Sequence, residues 1–431
     1  NSFCTLLAGA VLRGGMSSIL VATASYDRHI KLWRVHPVEQ TRSFNFSQDS
    51  HVNCLCVSPD RTRLAAAGYT TIKVYDLTAL MGDGSSAHAQ QQTVVSQSQD
   101  NGHTANVTAI GFVRSVQGAH MLYSISEDGT WKLWDTRAPG LRLKRVVDVK
   151  EPLNCGVLLH NSMIVAGGQL GTIGVWSLNA STDQKNPDGL IDSVTVQSED
   201  PAVRSVALTP GGDVLVAATN SGHVYVLAIS KAIGPNAGSK ADGATKPSDE
   251  GDAEKDAEAP GPSDTVARAA SELPNVSVFT SGTDTKGQGA SPQVRGGQGH
   301  LQLLWTFEAH SRYVLKCCVS PNGAMLCTTS ADCSVNLWRV PEELPKLAEQ
   351  SSSGGGVPEP RTDKWTLVRS ITSHQRWVWD CAFSRCSLYV VTASSDHTGR
   401  LWQIESGKLE ANFSGHQKPV TCILLDDRRD S

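Results

Sequence analysis

No run of the sequence is apolar enough to cross a bilayer as a helix, so a spanning membrane protein of that kind is not expected. There is also no Cys-x-x-Cys pair, no His-Glu-x-x-His, no phosphate-binding glycine loop and no dinucleotide glycine fingerprint. Those short motifs are the usual holders of metals, nucleotides and redox cofactors. Their absence argues against an enzyme and against a resident metal or cofactor. Charge of one sign is lacking too: the formal net charge is −4 over 431 residues, which leaves no basic excess for a nucleic-acid footprint. The eleven cysteines are odd in number and form no short framework, which argues against a secreted disulfide protein and points to a reducing, cytoplasmic compartment. Seven of them, Cys54, Cys56, Cys155, Cys317, Cys318, Cys381 and Cys422, recur in one type of strand as small buried hydrophobes. The apolar stretch over residues 3–12 has no basic segment in front of it and no convincing cleavage site behind, so residues 1–16 read as a disordered leader.

Aromatic residues are only 6% of the chain, yet they are placed with a period. A short motif ends one strand in each of seven units: Leu32–Arg34, Val74–Asp76, Leu133–Asp135, Val175–Ser177, Val226–Ala228, Leu337–Arg339 and Leu401–Gln403. The smallest spacing between its central residues is 42, which matches the WD-repeat period of about 40–45. Within each unit an apolar strand, a turn, a small-residue strand, an Asp or Asn turn and the Trp strand follow in that order. Such alternation reads as buried β-strand, and four strands per unit repeated radially give an all-β propeller of seven blades.

Several units bring His, hydroxyl, Asp and Trp together: His103, Ser124 or Ser126, Asp128 and Trp134; His310, Ser330, Asp332 and Trp338; His374, Ser394, Asp396 and Trp402. Similar residues, His416, Asp27 and Trp33, belong to the first unit. A nucleophilic triad is not expected to recur with a structural repeat. The sets read instead as hydrogen-bond braces in which Asp fixes the His tautomer. Units two, four and five break the pattern: Gly68-Tyr69-Thr70 and Gly168-Gln169-Leu170 replace the Asp turn, and Asn220 reads as the stand-in for Asp. Those blades are expected to depend more on packing.

The first unit begins at its second strand. Its missing strand is expected from Gly415–Val420 and the following Thr421–Asp426, which repeat the start of a unit with nothing after them. The propeller should therefore span residues 17–427 and close without an open edge. Three polar segments interrupt the period: 81–101, 231–299 between blades five and six, and 346–362. Their composition is too poor in apolar residues to offset ordering entropy, so they read as flexible loops.

Aligning the first strand of each unit gives one column of residues: Asn53, Thr108, Asn154, Arg204, Leu315, Trp379 and Thr421. Tyr313 and Trp377 stand two positions earlier, and Tyr26, Tyr69 and Glu127 should reach the same face. Aromatics and Arg are the usual anchors of interfaces, so Tyr313, Trp377, Trp379, Arg204, Asn53, Asn154, Tyr26 and Tyr69 are the candidate protein-binding residues. Packing between blades is the alternative role for Trp379.

The repeat residues resemble one family beyond the generic WD signature, the WD-repeat subunits of TOR kinase complexes, or G-protein β-subunit-like proteins. The resemblance lies in Ile19–Trp33, His51–Leu77, His310–Asp332, Trp377–Ser384, Val390–Asp396 and Gly415–Val420. The Ala-Ala-Ala-Gly-Tyr turn without Asp and the Trp-Val-Trp strand are its distinctive parts. Units four and five match less specifically, and the leader and segment 231–299 depart from the compact pattern. The resemblance implies a non-catalytic scaffold, without cofactor, that docks on the C-lobe of a TOR-type kinase domain beside other complex subunits. It implies roles in growth and nutrient control and in actin organisation, and peripheral recruitment to vacuolar or lysosomal membranes through the complex. A substrate receptor or peptide-reading adaptor on the same fold is the competing expectation. It predicts a strongly charged pore, whereas the aligned column is mixed.

Overall fold

The second strand of each unit is built from small and β-branched residues because it is covered on both faces. Leu20–Ser25, Met163–Gly168 and Val214–Thr219 are buried at every position. Bulkier residues would force neighbouring sheets apart. The outermost strands alternate instead, as in Arg142–Asp148, where Val147 is buried and most of its neighbours face water. The computed structural model describes residues 20–81, 94–97, 102–113, 121–137, 140–179, 186, 188–230, 293–297, 299–344, 346–348 and 365–427. All of these belong to one of the two compact units into which the chain divides, Asn1–Ala237 with Pro292–Ser431.

Seven antiparallel sheets form seven blades of a β-propeller. The first strands of the blades are Val420–Asp426, Cys54–Val57, Val107–Val113, Leu153–Leu159, Val203–Leu208, Val314–Val319 and Val378–Phe383. Each touches the next, and the seventh touches the first, so they enclose the axis. The aromatic at the motif position of the third strand, replaced by Leu227 in blade five, fills the gap to the preceding blade. Trp134 packs on Ala65 and Ala67 of blade two, Trp33 on Val391 and Ala393 of blade seven, and Trp402 on Cys327 and Val335 of blade six. This is the physical reason the Trp period is legible: each ring is the wedge between two sheets, and truncating such a ring costs about 3–5 kcal/mol.

Blade one closes as its sequence requires. Val420–Asp426 pairs antiparallel with Leu20–Ser25, from Leu20 opposite Asp426 to Ser25 opposite Val420. Segment 231–299 interrupts blade five itself rather than the junction of blades five and six. Its flanking strands His223–Ile229 and Leu301–Glu308 pair with each other. Within that segment, Gln293–Arg295 adds a fifth strand to blade four against Leu190–Gln197. Asp192, fully buried, holds the return of the chain by accepting from the backbone N–H groups of His300 and Leu301 at 2.8 and 3.0 Å. Segment 81–101 likewise contributes Val94–Gln97 as the outer strand of blade two. In segment 346–362, Ala348 is buried. The expected leader and most of the other residues of these segments lie outside the described residues.

Candidate protein-docking face

Four complete braces are present. In blade three Trp134 Nε1 donates to Ser124 Oγ at 2.8 Å, Ser124 lies 2.7 Å from His103 Nε2, and His103 Nδ1 lies 2.8 Å from Asp128 Oδ2. A carboxylate at Nδ1 places the ring proton there, so Nε2 accepts from the hydroxyl. The same chain runs Trp33–Thr23–His416–Asp27 in blade one, Trp338–Thr328–His310–Asp332 in blade six and Trp402–Thr392–His374–Asp396 in blade seven. The expected hydroxyls Ser330 and Ser394 are corrected to Thr328 and Thr392. Trp338 stands opposite Leu326, so its indole reaches Thr328, two residues along the same face. Ser330 sits at the strand end, where its Oγ accepts from the N–H of Asp332 at 3.0 Å. Ser394 does the same for Asp396 at 3.2 Å.

These braces carry a pH dependence. Burial by itself would raise the carboxyl of Asp128, but hydrogen bonds from His103 and Thr130 outweigh it and hold the group well below the usual carboxylate range. Asp27, Asp332 and Asp396 are depressed in the same way against the same burial. A depressed carboxylate stabilises the fold at higher pH, and that stability is lost as pH falls below about 4. Burial also depresses His103, and Asp128 offsets this only in part. The unfolded imidazole therefore takes up a proton first, and stability begins to fall below about pH 6.5. Thermal melting should decline in two stages on acidification. His103→Gln should flatten the stage above about pH 5; an unchanged slope there would remove His103 as its source.

Blades two, four and five use other means. Tyr75 replaces Trp in blade two and packs edge-on to Phe44 at 5.1 Å. In blade four Glu151 is buried and its carboxylate accepts from the N–H of Leu170 at 3.1 Å. In blade five Asn220 Nδ2 donates to Asp200 at 3.0 and 3.1 Å, while Arg204 Nε donates to Asn220 Oδ1 at 2.7 Å. Asn220 therefore does not stand in for the turn Asp. It follows the strand end Thr219 directly, which is the position of Tyr26, Tyr69 and Glu127, and Ser221 occupies the turn. Blades four and five thus have polar braces of their own.

The aligned column has a structural cause. In blades one and three to seven, strand register shifts at Thr421, Thr108, Asn154, Arg204, Leu315 and Trp379. Each of these residues is the extra one in a β-bulge, a device that re-aims a side chain at the end of a sheet. In blade two Asn53 takes this place, its N–H donating to Ala67 O at 2.8 Å. Three of these side chains tie their blade to the next: Thr421 Oγ1 to Val52 O at 2.6 Å, Asn53 Nδ2 to Val107 O at 3.1 Å (and to Asn106 Oδ1), and Thr108 Oγ1 to Leu153 O at 2.9 Å. Others turn toward the face of their own blade: Asn154 to Gln169 at 3.0 Å and Trp379 Nε1 to Ser395 Oγ at 2.7 Å.

The resulting face is lopsided. Tyr313 is 44% exposed, Tyr26 37% and Tyr69 55%. Trp377 and Trp379, half-buried, lie 5.5 Å apart. Tyr26 packs against His51 with ring centroids 4.3 Å apart and the rings tilted by 30°. Blades six, seven, one and two thus each present an aromatic residue in an arc, whereas blades three to five present Glu127, Asn154, Gln169 and Arg204, with the exposed Leu170 as the apolar exception. Trp379 is fixed to its own blade at this face rather than wedged between blades. Sequence reading missed His51, Asp200 and Asp380. Asp380, buried, accepts from Ile423 N at 2.9 Å and pairs with Lys316 Nζ at 3.5 Å, which joins blades seven, one and six. An acidic residue directly after the Trp-Val-Trp strand was the available signal. No helix among the described residues is long and apolar enough to cross a membrane.

Comparison with known proteins agrees with the fold. The WD domain, G-beta repeat model matches residues 39–76, 94–135, 301–339 and 365–403. The target of rapamycin complex subunit wat1 of Schizosaccharomyces pombe is 31% identical over 95% of this chain and 96% of its own length. The target of rapamycin complex subunit LST8-1 of Arabidopsis thaliana is 30% identical over 84% and 82%, and the target of rapamycin complex subunit LST8 of Bos taurus is 27% identical over 96% of both. With a closed ring of seven WD blades and this likeness across almost its whole length, the chain belongs to the LST8 family of target of rapamycin complex subunits.

Proposed function

We propose that this chain is a non-catalytic scaffold subunit of a TOR kinase complex that docks on the C-lobe of the kinase domain and stabilises it. The observation that carries the reading is the aromatic arc of Tyr313, Trp377, Trp379, Tyr26 and Tyr69 on one end of the ring. Rigid aromatics held by a closed scaffold lose little entropy on binding and bury large areas. The recurring His, hydroxyl and Asp sets support a non-catalytic role, since each hydroxyl is already engaged with Trp and His in a buried chain. Placement at vacuolar or lysosomal membranes would follow from the complex rather than from this chain.

The test is co-purification of the kinase with Tyr313→Ala plus Trp377→Ala. Loss of two central aromatic anchors of about 2 kcal/mol or more each should reduce association by at least a hundredfold at unchanged melting temperature. Undiminished recovery of the kinase would take those residues out of the interface. Recovery of other assemblies but no TOR-type kinase by the unmodified chain would end the reading and favour the adaptor role.

A further inference from the structure

Between blades six and seven lies a group of thiols that neither the braces nor the docking face uses. Cys318 stands directly opposite Cys327 across two strands of blade six, and Cys381 reaches in from the first strand of blade seven. Cys318 Sγ and Cys381 Sγ are 3.3 Å apart, and all three sulfur atoms lie within 4.8 Å of one another. Around a central atom with bonds of about 2.3 Å, three sulfurs lie about 4 Å apart in a planar site and about 3.4 Å apart in a pyramidal one. Small side-chain rotations therefore suffice to converge them. Cys327 and Cys381 are buried, while Cys318 is partly exposed. The same cluster contains Val335, Leu337, Val378, Val390 and Trp402.

We propose that Cys318, Cys327 and Cys381 form a three-thiol site for a trivalent thiophilic ion, with arsenous acid as its small-molecule form. Geometry selects three-coordination, because among the described residues no fourth Cys, His, Asp or Glu joins the group. Charge selects the ion. A monovalent ion such as Cu(I) on three thiolates would leave two negative charges beside a cation, Lys316, that is already paired with Asp380, and Zn(II) would leave one and still want a fourth ligand. Burying unpaired charge is costly. Arsenous acid condenses with three thiols without residual charge: three As–O and three S–H bonds break, three As–S bonds form, and three waters leave. No electrons are transferred. Because the site takes two sulfurs from blade six and one from blade seven, occupancy would staple the two blades together.

The experiment titrates the reduced full chain with arsenite under nitrogen. Native mass spectrometry should show a gain of one arsenic less three hydrogens, free thiols counted after denaturation should fall by three, and melting temperature should rise. Cys318→Ser and Cys381→Ser should each weaken binding at least tenfold, and Cys386→Ser, which removes an exposed thiol outside the group, should not. Melting and circular dichroism verify each variant, and the partly exposed Cys318 gives the variant that best keeps the fold. Undiminished binding in either folded variant, or a loss of only two thiols, would overturn the site. Tighter capture of Zn(II) or Cu(I) by the same thiols in competition would overturn the assignment of the ion.

Discussion

A chain ending at residue 414 should not melt cooperatively at the temperature of the full chain. The deletion removes Val420, Cys422 and Ile423, all buried. At about 1.5–3 kcal/mol for each fully buried apolar side chain, their loss alone costs about 4.5–9 kcal/mol. It also removes His416, and with it the brace through Thr23 to Trp33 and Asp27. Thr421 no longer ties blade one to Val52, Asp380 loses the N–H of Ile423, and Arg61 loses Asp426 at 3.0 Å. Whole domains are stable by only about 5–15 kcal/mol, so the deficit is comparable to the total. Leu20–Ser25 keeps His29–Arg34 on one side but becomes an open edge on the other, which invites aggregation.

Calorimetry of the truncated chain is the direct measurement, with addition of a peptide spanning residues 415–431 as the complement. The peptide should restore a cooperative transition, since its partner strand keeps its register. A cooperative melt within a few degrees of the full chain, with no response to peptide, would show that blade one does not need the C-terminal strand. The same result would undo the argument that ring closure is what makes this domain a single folding unit.

Closure was legible in the sequence because the terminal strand carries its own markers, Gly415-His416 ahead of an apolar strand, and a unit missing its first strand stands at the other end. The Trp wedges were legible for the same reason: a large residue repeats wherever two sheets need filling. What escaped reading depends on pairing between strands. Whether Thr328 or Ser330 meets Trp338 is decided by register, and both are hydroxyls of matching parity on one strand. Asn220 was placed one position late because blade five has no Asp to mark its turn, so the nearest amide took the role by default. The column of candidate residues is legible as an alignment, but that six of the seven are bulges could not be read, since a bulge exists only against a partner strand. Likewise the arc emerges only when blades six, seven, one and two become neighbours through closure.

Gly68→Ala should cost far more than its single methyl suggests, and far more than Gly168→Ala at the equivalent strand end of blade four. Neither glycine needs an unusual backbone angle here; the question is what a Cβ would meet. At Gly68 it would fall 1.7 Å from the carbonyl oxygen of His51 and 2.8 Å from its carbon. That obstacle is backbone, and the backbone cannot yield alone. Val52 next to it accepts from Thr421 at 2.6 Å, and Asn53 donates to Ala67 at 2.8 Å. Blades one, three, six and seven carry Ser at this position, so the glycine compensates for the shorter approach of the chain into blade two. Displacing His51 and Val52 should combine overpacking, about 1–3 kcal/mol, with loss of one or two hydrogen bonds at about 1 kcal/mol each, for a total of about 2–5 kcal/mol. It should also pull His51 away from Tyr26 and so disturb the aromatic arc at blades one and two. At Gly168 the new Cβ would meet the carboxyl group of Glu151 at 2.4 Å, the far end of a flexible side chain that can swing aside while surrendering one bond to Leu170. Denaturant unfolding of the two variants decides the matter. If Gly168→Ala proved as damaging as Gly68→Ala, the close backbone approach at His51 would not be what demands glycine in blade two.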